Sequence, residues 1–396
     1  DVVRAMMLLR ANALAKGNSG VRPLVVERLI DFLNLGITPV VPSRGSVGAS
    51  GDLAPLAHLA SALLGEGKVT WKGKKIKASS ALKKAGITPI KLAPKEGLGL
   101  INGTQAMSAI LCLALADLEV LLVTADAIAS LSFYIISGNP DVFSPLLSSA
   151  RPHPGQKKSA DRISSFLKDW NDKIFPRVQD AYSFRCIPQV HGPVNDLFDY
   201  ASRVIAVEIN SATDNPLVFP GEEKIISGGN FHGGGLGLIA DALAIGICHL
   251  GGISERRTYK MLDHTYSGLP PFLTREEGIS SGLMLCQYTA AALVSENKVL
   301  AHPASADSIP TSAGQEDHVS MGLYAALKLA DMIKNLRYIL AIEWLVAAEA
   351  MEYKDGKPPK FIKKLYSILR EKVPEFKYDR PAGDAIETVA EIIKSL

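Results

Sequence analysis

The feature that most restricts the fold is the length over which apolar residues keep a helical period. They recur at i, i+3, i+4 and i+7 through Val2 to Leu14, Leu53 to Leu64, Ala106 to Ile136, Val194 to Ala212, Leu236 to Met261, Gly282 to Leu300 and Val319 to Ala350. Several of these windows run past twenty residues. Stripes of that length are buried by laying long helices side by side. Alternating β-branched runs are few, and Lys68 to Ala78, with Gly73 at its turn, reads as a single short hairpin. The expected fold is mainly α, a long-helix bundle with a minor β element.

Composition bounds the function classes. The 396 residues allow two or three domains, and 43 Lys and Arg against 40 Asp and Glu leave a net charge of only +3. No basic cluster marks a phosphate-binding surface, so nucleic acid is not expected as a partner. Cys112, Cys186, Cys248 and Cys286 lie far apart with no C-x-x-C pair, which points to a reducing, cytoplasmic setting. The most apolar stretch, Ala106 to Ser137, is interrupted by Asp117, Glu119 and Asp126; it reads as a buried bundle helix rather than a membrane span. Asp1 to Gly20 mixes Arg4, Arg10 and Lys16 with Asn12 and Asn18, unlike a signal peptide. From Tyr353 onward the chain turns Lys-rich with scattered prolines, and amphipathic helices are expected over Phe361 to Lys372 and Asp384 to Leu396. The expected division is 1–100, a central bundle over 101–350, and peripheral helices over 351–396.

Gly- and Pro-rich connections separate the helices: Pro42 to Gly51, Gly97 to Gly103, Ala181 to Gly192, Ser227 to Gly237, Ser267 to Phe272 and Ala301 to Gly314. Loops held on a helical scaffold are where sites concentrate. In the first of them Asp52 is a plausible N-cap and Pro55 falls in the first turn, so Ala49-Ser50-Gly51 sits on a tight turn at a helix N-terminus. Such a loop can be a plain turn or an anion nest; the G-x-S-x-G elbow fails because Asp52 replaces its last glycine. A third reading uses all three residues. Attack of the Gly51 nitrogen on the Ala49 carbonyl closes a five-membered ring, and loss of water and then of the Ser50 hydroxyl leaves an exocyclic methylene. Gly51 allows close approach, Ser50 supplies the leaving group, and Ala49 keeps the ring uncrowded.

The run Gly45-Ser-Val-Gly-Ala-Ser-Gly-Asp-Leu-Ala-Pro-Leu-Ala-His58 resembles the signature of the aromatic amino acid ammonia-lyase family, and within it the histidine-specific members. Ile101 to Gln105, Arg151 to Gln156, Tyr182 to Cys186, Gly228 to His232, Leu269 to Phe272 and Gln315 to Ser320 resemble further family blocks in the family's order. The resemblance covers nearly the whole chain. It implies the helical architecture shared with fumarase-like lyases, a methylidene-imidazolone formed from Ala49, Ser50 and Gly51 with no external cofactor, L-histidine as substrate with urocanate and ammonia as products, and a homotetramer whose sites combine residues of several subunits.

Each implied role stands beside a plainer one. Asn102 could be an N-cap for a helix beginning near Gly103; the resemblance places it beside the ring and the substrate carboxylate. Arg185 could be a surface cation, but its fork suits a carboxylate, and the resemblance makes it the substrate anchor with Tyr182 assisting near the ring. Gln179 and Gln189 match family active-site glutamines, and Met284 a pocket position. Phe231, by default a core aromatic, matches a residue that keeps the site dry. Glu316 could belong to a capping box, Ser312-x-x-Gln315, opening the helix from Val319 to Ala350; the resemblance directs it at the imidazole. His232 and His318 fall in no H-x-x-x-H or H-E-x-x-H arrangement, so no metal is expected.

Three other readings remain open: a phenylalanine or tyrosine ammonia-lyase or aminomutase of the same family; a fumarase-type lyase, whose G-S-S-x-M-P signature is missing; and a catalytically inactive helical fragment or assembly protein. The family carries an N-terminal region before the helix matching Val2 to Leu14, and that region supplies a tyrosine loop thought to hold the base. The chain starts at Asp1, and the expectation is a fragment, with a separate N-terminal piece as a further partner.

Overall fold

The computed structural model describes residues 1–170 and 175–396. It is 62% helical and 5% strand, mainly α as the apolar periods require. Long helices occupy Gln105–Ile135, Ile187–Glu208, Gly234–Leu262, Met284–Leu300 and Gly322–Ala350. The chain divides into two compact units, each built from three separate stretches.

The first unit comprises Asp1–Ala114, Tyr200–Asp241 and Pro303–Ala330. Its opening helix Val2–Ala15 packs against Pro23–Asn34, which starts on a proline whose missing N–H is harmless there. The expected hairpin is present as Lys68–Trp71 paired antiparallel with Lys74–Lys77, turning at Lys72-Gly73. Thr38–Pro39 adds a third strand, and a second hairpin joins Leu217–Phe219 to Lys224–Ile226. Strands of two or three residues are too short to register as an alternation.

The second unit comprises Leu115–Asp199, Ala242–His302 and Asp331–Leu396. Among its buried polar groups are two ionic knots. Arg257 and Glu343, both fully buried, pair at 2.6 Å, and Glu343 also accepts from Ser132 and Ser254. Asp126 accepts from Ser159 and Arg162 and contacts the His191 ring at 2.8 Å. The C-terminal helices form close to expectation, as Lys360–Arg370 and Gly383–Lys394. Gln105–Ile135 and Gly234–Leu262 are long and apolar enough to cross a membrane, but 61% and 67% of their most apolar stretches are buried within the structure, the burial of core helices.

Two helix starts depart most from the apolar pattern. The helix expected from Val194 begins seven residues earlier at Ile187, because Pro188 is tolerated in a first turn and Pro193 is accommodated within the helix. The helix expected from Val319 begins at Gly322, because Met321 has φ +51 and the Ser320 hydroxyl accepts from Gly322 N.

Candidate active site

The cyclisable tripeptide is held in a backbone conformation that most residues avoid. Ser50 has φ +50 and Gly51 φ +72, the left-handed region where a residue with a Cβ is strained. What holds it is Gly103. Gly51 and Gly103 form a parallel bridge, and Asp52 N donates to Gly103 O at 2.7 Å. A Cβ on Gly51 would lie 2.2 Å from Gly103 O, so only glycine fits. On the other side a Cβ on Gly48 would lie 2.0 Å from Ser320 Oγ, and Met321 N donates to Val47 O at 2.9 Å.

Asp52 precedes the helix Leu53–Leu63 as expected, but its side chain does not cap it. The fully buried carboxyl instead accepts from Met107 N at 2.8 Å and from Ser46 Oγ at 3.2 Å. Burial pushes it up to about 7, against the hydrogen bonds from Met107, Ser46 and Ala106 that favour ionisation. An acidic group at a helix start is a common cap, and sequence spacing could not show that this one ties two segments together.

Asn102 is not the expected N-cap. It follows the short helix Glu96–Ile101, is buried, and the next helix starts at Gln105. Four consecutive residues are tied down here. The Asn102 carbonyl accepts from Arg10 Nη1 at 2.8 Å, Gly103 O accepts from Asp52 N, Thr104 Oγ1 donates to Glu208, and Gln105 accepts from Arg10 and donates to Thr213. The buried Asn102 Oδ1 has no partner among the described residues.

Glu316 does not belong to a capping box. Ser312 and Ala313 have φ +52 and +54, so the chain makes a short left-handed turn well before the helix begins at Gly322. Ser50 Oγ donates to Glu316 Oε1 at 2.5 Å, while Ser312 Oγ and Thr311 Oγ1 donate to Oε2 at 2.5 and 2.9 Å. These hydroxyls, Ser312 first and Ser50 second, hold the carboxyl below the usual glutamate range. Phe231 is half-buried, and the loop carrying it closes on the same region: a Cβ on Gly233 would lie 2.2 Å from Met107 Sδ and 3.3 Å from Ser320 Oγ. The His232 and His318 rings stack at 5.9 Å.

The remaining expected residues lie in the second unit. Tyr182–Arg185 is a helical turn, not the irregular stretch expected, so spacing of three puts both side chains on one face. The Arg185 guanidinium lies over the Tyr182 ring at 4.8 Å and makes no hydrogen bond among the described residues. Tyr182 is 70% exposed. Buried Phe184 stacks on Tyr266, whose hydroxyl accepts from Ala181 N, and this anchors the turn. Gln179 is exposed, and the Gln189 Oε1 is buried without a partner among the described residues. Met284 opens its helix and lines a cavity of about 460 Å³ with Phe272, Tyr259, Tyr288 and His264.

Among the expected residues the first unit therefore gathers Ser50, Gly51, Asn102 and Glu316 around one loop. The model of the family described as "Aromatic amino acid lyase" matches residues 1–371. This chain belongs to the aromatic amino acid lyase family. It is 49% identical to the histidine ammonia-lyase of Caldanaerobacter subterraneus subsp. tengcongensis over 401 residues, covering 100% of this chain and 78% of that one. The crystal structure of histidine ammonia-lyase from Trypanosoma cruzi superposes with a TM-score of 0.94 at 42% identity, over 100% of this chain and 76% of that one. Tyrosine aminomutase from Streptomyces globisporus superposes at 0.92 with 37% identity, over 100% and 79%. Sequence reasoning missed Arg10 and the spanning role of Asp52; an arginine four residues from both Met6 and Leu14, on the apolar face of the helical window, was the available signal.

Proposed function

We propose that the chain is a carbon–nitrogen lyase that eliminates ammonia from L-histidine to give trans-urocanate, using a methylidene-imidazolone closed from Ala49, Ser50 and Gly51. The observation that carries this is the carboxylate of Glu316 on the Ser50 hydroxyl, in a chain 49% identical to a histidine ammonia-lyase. The residues fit such a ring. Gly51 is pressed against Gly103 where no side chain fits, and Ser50 offers a β-hydroxyl. The ring supplies an electrophilic carbon that turns the substrate amine into a better leaving group.

The chain's own side chains are proposed to bind and orient the substrate. Glu316 Oε2 is held by Thr311 and Ser312, whereas among the described residues Oε1 accepts from Ser50 alone. Loss of the Ser50 hydroxyl on ring closure leaves Oε1 open to a donor, and an imidazole N–H supplies one. A phenyl ring does not, and it leaves the carboxylate unpaired. Arg185, with its guanidinium uncommitted, is proposed to grip the substrate carboxylate beside Tyr182. Asn102 Oδ1 is proposed to accept from the bound amine, and Phe231 to exclude water. Gln179, Gln189 and Met284 are proposed to line the substrate. Large exposed apolar side chains on the long helices, Val207 and Leu238 in the first unit and Leu285 and Val299 in the second, support assembly as a homotetramer.

Intact mass and histidine turnover on one sample test the reading. Ring closure removes two waters, about 36 Da, and urocanate raises the ultraviolet absorbance. An unmodified loop, full turnover by Ser50→Ala, or coumarate or cinnamate accumulating in place of urocanate would overturn it.

A further inference from the structure

We propose that Arg10 is a positioning residue for ring closure: its guanidinium clamps the segment 99–105 that holds the cyclising loop in its strained conformation. The inference rests on the ring chemistry proposed above.

Arg10 projects from the helix Val2–Ala15 and is fully buried. Nη1 donates to Asn102 O at 2.8 Å and to Gln105 Oε1 at 2.7 Å, and Nη2 donates to Gly99 O. All three acceptors lie within seven residues of chain. The guanidinium also abuts Gly103, where a Cβ would lie 2.4 Å from Nη1. Burial lowers its pKa to about 10, with Asp214 acting in the opposite direction, so it stays charged at neutral pH. No carboxylate pairs with it directly among the described residues. A buried cation whose direct partners are carbonyl and amide oxygens, with Asp214 acting on it without a direct contact, is an expensive way to fill an apolar helix face, where leucine or methionine would serve packing alone.

What the clamp holds is the partner of the tripeptide. Gly103 O receives Asp52 N–H, and Gly103 pairs with Gly51. In ring closure the Gly51 N to Ala49 C bond forms, and the Ala49 oxygen leaves as water with the Gly51 and Ser50 amide protons. The Ser50 Oγ leaves as the second water, with its own proton and that on Cα. An amide nitrogen is a poor nucleophile, so the first step depends on holding the two atoms in an attack geometry, where a displacement of about 1 Å can cost a hundredfold. Lysine cannot reproduce the two-pronged grip.

The test measures the fraction of the loop peptide lighter by two waters in folded protein, with circular dichroism reporting the fold. Arg10→Met should lower the rate of ring formation at least about tenfold, Arg10→Lys less, in that order. Gln105→Met, which removes one acceptor, should give a smaller reduction and decides the matter if both arginine variants fail to fold. Normal ring formation in folded Arg10→Lys and Arg10→Met, or in Gln105→Met where those two do not fold, overturns the clamp while the proposed activity stands. A wild-type loop without the mass loss overturns both.

Discussion

Ser50 and Glu316, 266 residues apart, meet at 2.5 Å with the serine hydroxyl donating to Oε1. The contact places the leaving group of the proposed ring on the carboxylate proposed to select the substrate. Because Oε2 is separately held by Thr311 and Ser312, the carboxylate keeps its orientation when the serine hydroxyl departs.

Glu316→Gln tests that division of labour. The amide retains the shape but not the charge, and a hydrogen bond to a charged group contributes about 1.5–3 kcal/mol. The kcat/KM for histidine should therefore fall about 10- to 100-fold, while the loop still loses two waters. A variant with unchanged kcat/KM would remove Glu316 from substrate recognition.

Gly51→Ala adds a Cβ that would sit 2.2 Å from the Gly103 carbonyl, on a backbone already at φ +72. Both effects push the loop off Gly103. The expected outcome is an unmodified loop in mass spectrometry and a stability loss of about 1–3 kcal/mol. Full ring formation in this variant would show that the Gly51–Gly103 bridge is dispensable.

How much of this was legible in the residues depends on the range of the interaction. Helices such as Val2–Ala15 and Leu53–Leu63 announce themselves because their burial follows a 3.6-residue period. The helix from Ile187 hid its first turns behind Pro188 and Pro193, which local rules read as loop. Ala49 to Gly51 could be singled out because cyclisation needs those residue types in that order. Asp52 and Arg10 could not be assigned. Their partners, Met107 and Asn102, lie 55 and 92 residues away, and only the folded backbone brings a buried carboxyl and a buried guanidinium onto the same short segment.

Asp52 makes stability depend on pH in an unusual direction. Its folded pKa of about 7 lies above the ordinary 3.8, so between those values the folded chain binds more protons than the unfolded one. Its contribution is greatest below pH 4, declines as pH rises to about 7 and is flat beyond. Thermal midpoints of wild type and Asp52→Asn across this range should diverge accordingly, the wild type losing stability relative to the variant as pH rises. Parallel curves would mean that Asp52 titrates normally.

The knot of Arg257 and Glu343 offers a test in the second unit. Both side chains are fully buried, their ion pair is 2.6 Å, and Ser132 and Ser254 donate to the same carboxylate. Two charges withdrawn from water are tolerable only while they face each other. Removing one partner leaves the other stranded, so Arg257→Met or Glu343→Leu alone should destabilise by about 3–5 kcal/mol. The double substitution strands no charge and leaves only two hydroxyls unpaired, so it should be less destabilising than either single change. A double-mutant cycle read by denaturant unfolding measures this. Additive losses would show that the two groups contribute through packing rather than through their charges.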